Sequence, residues 1–260
     1  MTEIKTPPSW DTIRTNLADT DNTKRNITHW FLQDDADASY LPLLHELVRA
    51  EDENEAYFSA AAGIARLESL SQYRFLIETL ADVHAKAAGE HSAPLDTFID
   101  ALQEVSNDHP LPVATMLTEL LRHERASVRA FAAFLYGTSQ APSPAPLLAR
   151  LQDSDPLVRM SAVSATLAFG ADPSVVPALL PLLQDSDESV RVMVAYVLAD
   201  LRAPQALPAL QRAAKEDPAK TVRQAANHAH RRIKGTDRWW IWGLIALVAL
   251  GVALLVQLAI

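Results

Sequence analysis

The chain has 260 residues, 49% of them hydrophobic, with 16 Pro, 7 Gly and no Cys. Without cysteine there is no disulfide framework, no thiolate nucleophile and no Cys-ligated metal. So few glycines argue against a Gly-rich phosphate loop and against turn-dense β folds, and a formal net charge of −9 disfavours a general nucleic-acid binder.

The opening MTEIKTPPSW has no apolar core of the signal-peptide kind. Residues 1–35 read as an N-terminal arm or cap. Residues 36–110 read as degenerate helical repeats. Within them, 41–67 has a Pro-Leu-Leu start and Glu51 five residues before Ala56, with Tyr57 next. Helical periodicity also covers 70–88, through Phe75, Leu76, Leu80 and Val83, and 93–106, through Leu95, Phe98, Ile99, Leu102 and Val105.

Residues 111–234 carry a clear repeat. Val-Arg recurs at Val128-Arg129, Val158-Arg159, Val190-Arg191 and Val222-Arg223, and an aspartate stands five residues before three of those valines: Asp153, Asp185 and Asp217. Pro146, Pro177 and Pro208 recur upstream, each leading into Leu or Ala-Leu. Several positions held at one period of about 31 residues indicate stacked two-helix units. In the unit 173–201, prolines suit a helix start and Leu179, Leu180, Leu182 and Leu183 form its apolar stripe. Asp185-Ser186-Asp187 breaks that helix, Asp187 can cap the next, and Val190, Val194, Val197, Leu198 and Leu201 face inward. Gly137 and Gly170 are expected to end second helices, glycine being the usual choice just past a helix end. No segment alternates with period two, so the fold class is all-α: an α-solenoid of about five helix pairs followed by a single transmembrane helix.

That last element is WWIWGLIALVALGVALLVQLAI, residues 239–260, 22 residues without a charge. A helix of this length rises about 33 Å, close to the bilayer core of about 30 Å. Trp239, Trp240 and Trp242 stand at its entrance as interface residues, behind Arg231, Arg232, Lys234 and Arg238. The basic flank places the N-terminal part in the cytoplasm and makes the segment a tail anchor. A bacterial inner membrane and a eukaryotic tail-anchored membrane both fit.

The Pro-x-Leu-Leu stretch, the Asp-x-Asp turn and the Val-Arg start followed by Ala132/Ala133, Ala162/Val163 and Val194/Ala195 resemble HEAT repeats, in particular the short HEAT-like repeats of phycobilin lyases. The resemblance spans about 112–233, and Ala226/Asn227 departs from it in part. It implies that the turn aspartates and Val-Arg arginines form a structural ladder: Asp153, Asp185 and Asp217 with Arg159, Arg191 and Arg223. Arg129 has Glu124 nearby instead.

Charge divides along the chain. Residues 1–110 hold 8 Lys/Arg against 20 Asp/Glu, a net of −12; residues 111–238 hold 15 against 12, a net of +3; and 212–238 alone is +5. The acidic half suits a basic protein partner, the basic end an anionic bilayer.

The sequence offers no catalytic residues and no cofactor. The iron enzyme deoxyhypusine hydroxylase, also built of HEAT repeats, makes His-Glu pairs worth weighing, but His45-Glu46 and His123-Glu124 are only two, 78 residues apart, so no metal is expected. His228 and His230 point apart on one helix, and no G-x-S-x-G or H-E-x-x-H occurs. HEAT-like alkylpurine glycosylases bind DNA on a basic face, which the acidic half does not supply. The expected function is a membrane-tethered scaffold that binds a protein on the cytosolic side, through 1–238, with the bilayer engaged by 239–260. The alternatives are an assembly factor for a membrane complex, with Ala249, Ala253 and Gln257 contacting client helices, or a lyase-like accessory enzyme acting on a cofactor or pigment. The partner's identity and the oligomeric state are open.

Overall fold

The computed structural model describes residues 8–18, 21–32, 36, 38–49, 64, 70–86, 99–100, 102–103, 107 and 110–235. Among the described residues every regular element is helical. They fall into two compact units, Met1–Arg150 and Leu151–Ile260.

In the first unit, α1 (Trp10–Leu17) starts at Ser9, whose hydroxyl accepts from the Thr12 amide, and α2 (Asn22–Trp30) starts at Asp21, which accepts from Thr23 N. These caps satisfy amides that an isolated helix leaves unpaired. The two helices pack together, with Ile13 and Leu32 buried. A 3-10 turn (Ala38–Tyr40) leads into α3 (Leu41–Arg49). Its Tyr40 hydroxyl donates to Pro8 O at 2.8 Å, and its ring meets Phe31 edge-on at 5.2 Å.

The following helix, α4 (Leu70–Lys86), buries Tyr73, Leu76, Ile77, Leu80 and Ala81, an unbroken stripe at steps of three and four. It packs on α5 (Pro110–Leu120) and α6 (Ala126–Thr138), and those two pack on each other. The centre of this trio is α6, with Val128, Ala130 to Ala133, Leu135 and Tyr136 all buried. A short α7 (Ala145–Arg150) follows. Of the expected helix at 93–106, Ile99 and Leu102 are buried; Leu95, Phe98 and Val105 lie outside the described residues.

The second unit repeats one plan. Its second helices are α8 (Pro156–Ala165), α10 (Glu188–Asp200) and α12 (Lys220–Lys234). Its first helices are α9 (Val175–Leu179), continued by a 3-10 segment Leu180–Gln184, and α11 (Leu207–Glu216). Consecutive second helices pack side by side, α8 on α10 and α10 on α12, while α11 covers α12 and the 3-10 segment covers α10. Pro181 explains why the first helix of the middle repeat tightens to 3-10 geometry, because it has no amide to donate. The expected stripe is buried at Leu179, Leu182 and Leu183 and half-buried at Leu180. On α10 Val190, Val194, Val197 and Leu198 are buried, with Leu201 half-buried just past its end.

Both glycines stand at the ends of second helices: Gly137 is the last residue but one of α6, and Gly170, right-handed at φ −59°, caps the 3-10 turn Thr166–Phe169 that finishes α8. Close packing meets Gly170, where an added Cβ would stand 2.5 Å from Leu201 Cδ2. Among the described residues the left-handed positions are Gln140, Arg202 and Gly235. Gly235, at φ 69°, closes α12 with its N–H directed to Arg231 O and Arg232 O, the role for which glycine has no steric penalty.

No helix among the described residues is long and apolar enough to cross a membrane. The expected anchor, with Arg238, Trp239, Trp240 and Trp242, lies outside them.

Candidate functional site

The most regular polar construction in the molecule is a ladder built from the Asp-x-Asp turns. In each turn the first aspartate folds the backbone over itself: Asp153 Oδ1 accepts from Asp155 N, Asp185 Oδ1 from Asp187 N, and Asp217 Oδ1 from Ala219 N, at 2.8–3.1 Å. The second aspartate caps the helix that follows. Asp155 accepts from Leu157 N, and Asp187 accepts from both Ser189 N and Val190 N. The third turn departs from this, because Ala219 holds the cap position and makes no side-chain bond.

The Val-Arg arginine then locks two turns together. Arg159 Nη1 donates to Asp153 O and Ser154 O of its own turn. Its Nε and Nη2 reach Asp185 Oδ2 and Oδ1 of the next turn at 2.8 and 2.7 Å. Arg191 does the same one repeat later, with Nη1 on Asp185 O and Ser186 O and its fork on Asp217 at 2.8 and 3.1 Å. A planar guanidinium fits a carboxylate in this bidentate way, and lysine does not. Side-chain exposure is 11% for Arg159 with 6% for Asp185, and 10% for Arg191 with 6% for Asp217, so both rungs are nearly dry.

Burial alone would push the Asp185 carboxyl up, but bonds from Arg159 and from Asp187 N outweigh it and hold it below the usual carboxylate range. The same balance, with Arg191 and Ala219 N, depresses Asp217. Asp185 and Arg191 also line an open groove of about 450 Å³ with Leu180, Leu183, Arg212 and Glu216.

Two further arginines of the Val-Arg series make the same main-chain contacts: Arg129, in the first unit, donates Nη1 to His123 O and Glu124 O, and Arg223 donates Nη1 to Asp217 O and Pro218 O. No carboxylate among the described residues forms an ion pair with the Arg223 guanidinium.

Of the basic residues expected near a membrane, Arg231, Arg232 and Lys234 are exposed in the last turns of α12, and Arg232 pairs with Asp200 at 2.7 Å. The His-Glu pairs are engaged otherwise. His45 stacks on Phe75 at 4.0 Å with Nε2 2.7 Å from Gln72 Oε1, and Glu46 accepts from Arg14. His123 Nδ1 accepts from Arg125 N. His228 lies 6.2 Å from the Tyr196 ring, while burial followed by the nearby Lys234 lowers the His230 pKa. Among the described residues no three His, Cys, Asp or Glu side chains converge as a metal site would require.

Sequence reasoning missed two features of these repeats. The arginine's bonds to its own turn's carbonyls carry no signature beyond the Val-Arg spacing. The uncapped Ala219 was legible, since the second aspartate of the turn is missing there.

Residues 144–231 match the family model of HEAT repeats. This stretch is built of HEAT repeats. No curated protein matches the chain. Among solved structures it is similar to an archaeal HEAT-like repeats protein from Thermococcus onnurineus NA1, at 14% identity and TM-score 0.46 over 89% of this chain and 99% of that one. It is also similar to human deoxyhypusine hydroxylase in complex with glycerol, at 17% identity and TM-score 0.41 over 87% and 96%. A third is an engineered protein, at 18% identity and TM-score 0.41 over 75% and 96%. Likeness at this level says nothing about activity.

Proposed function

We propose that the chain is a membrane-tethered HEAT-repeat scaffold that holds a protein partner on the cytosolic side. The carrying observation is the ladder of Arg159–Asp185 and Arg191–Asp217, in which the recurring charges tie neighbouring repeats of the second unit to one another. Stacked repeats of this kind present extended surfaces to other macromolecules. Two sequence features supply the rest: the net −12 of residues 1–110 favours a basic partner, and the uncharged 239–260 serves as the anchor.

Alkaline extraction of membranes tests the tether. The full chain should stay with the membrane, and a chain ending at residue 238 should be released. Purification in mild detergent should then bring down a stoichiometric partner whose binding weakens as salt rises. Release of the full chain at alkaline pH overturns the anchor, and recovery of the same complex after loss of 1–110 overturns the acidic docking half.

A further inference from the structure

The outward face of α12 has a composition unlike the other helices of its unit. Its buried residues are Val222, Ala225, Ala226 and Ala229, which pack on α10 and α11. At 100° per residue the opposite side is a stripe about 100° wide, made of Lys220, Arg223, Gln224, Asn227, Arg231 and Lys234. All are exposed except the half-buried Arg223. The stripe holds four cations, no carboxylate and no large apolar side chain, and it runs the length of a 15-residue helix, about 22 Å. Within it Arg223 is held by Nη1 on two carbonyls of its own turn. In the two preceding repeats that geometry directs Nε and Nη2 at a pair of carboxylate oxygens. The last repeat therefore presents a pre-oriented guanidinium fork with no carboxylate among the described residues to fill it.

We propose that this face of α12 lies flat on an anionic bilayer, with Lys220, Arg223, Arg231 and Lys234 contacting lipid phosphates and carboxylates. The inference rests on the reading of 239–260 as an anchor, which begins five residues after α12 ends and so holds the helix at the headgroups. A protein interface centres on apolar and aromatic contact, which this stripe lacks. The chain's net charge of −9 weighs against nucleic acid as the polyanion. Each basic residue near such a surface favours contact about fivefold.

Because the chain has no cysteine, Asn227→Cys gives a single site for a fluorophore in the middle of the stripe, and Ala171→Cys gives an exposed control in an earlier repeat. The full chain is reconstituted into vesicles of phosphatidylcholine alone, or of phosphatidylcholine and phosphatidylserine in equal parts, and flotation and quenching by a water-soluble quencher are read together. Flotation with both vesicles, with the label at 227 shielded only on phosphatidylserine and the label at 171 unshielded, supports the proposal. Lys220→Gln with Lys234→Gln should then shift the docked population about 25-fold, and high salt on the unsubstituted chain should reproduce that loss without any question of folding. Flotation with equal quenching in both lipids overturns this proposal and leaves the anchor standing. Failure to float with either vesicle overturns the anchor, and this proposal with it. Equal shielding by a duplex oligonucleotide in solution overturns the lipid assignment.

Discussion

The two units solve the same problem, holding helices side by side, with different chemistry. The first buries large and varied side chains, among them Ile13, Tyr73, Phe131 and Tyr136, while three of its ion pairs lie outside the core. Arg14–Glu46, Arg74–Glu119 and Arg125–Asp82 all have side chains at least 41% exposed. The second unit's buried apolar residues among those described are only Ala, Val and Leu. There two ion pairs move inward, Arg159–Asp185 and Arg191–Asp217, while Arg232–Asp200 stays exposed. Side chains this small leave little variety of shape to fix the register of the second helices. The bidentate rungs supply the fixed spacing. The lesson is that a repeat unit can exchange shape-specific packing for geometry-specific hydrogen bonding, provided both partners of each buried pair are present.

Substitutions that break this contrast should rank by how much buried structure each removes, read helix by helix through hydrogen exchange, because two units need not unfold as one. The largest loss is expected for Phe131→Ala, about 4 kcal/mol from a fully buried ring at the centre of α6, with protection falling across α4, α5 and α6. Asp217→Ala comes next, at about 3 kcal/mol, because it strands the Arg191 fork in a nearly dry site. Protection should fall across α10 to α12, and Arg191→Lys should not escape a similar loss, since an ammonium cannot make both bonds.

Acid sharpens the same point. Asp185 and Asp217 are held below the ordinary carboxyl pKa, so their contribution is complete above about pH 4 and disappears as pH falls through the depressed folded values. An acid titration of α10–α12 protection should show that loss, and Asp217→Asn should remove part of the slope; an unchanged slope would contradict the assignment. Ala219→Asp should gain about 1 kcal/mol by giving α12 the cap that α8 and α10 already have, seen as slower exchange in its first turn. Smallest of all, Arg125→Ala should cost under about 1 kcal/mol despite its contact with Asp82, because both side chains are well exposed. A cost matching that of Asp217→Ala would erase the proposed difference between the units.

By itself the sequence determined the helical fold, the two-helix period over 111–234, the turn aspartates and the capping role of Asp187. All of these are local or strictly repeated. A cap acts over two or three residues, and a rung joining positions 26 apart becomes visible because it occurs twice. Tertiary structure alone decided the first unit's pairings, such as Arg14 with Glu46 or Arg74 with Glu119, whose separations of 32 and 45 residues follow no period. It also decided that His45 stacks on Phe75, that Glu124 offers Arg129 its carbonyl, and that Gly170 is right-handed and faces Leu201. Those outcomes depend on where a neighbouring helix comes to rest, a sum over many weak contacts that leaves no single mark in the chain.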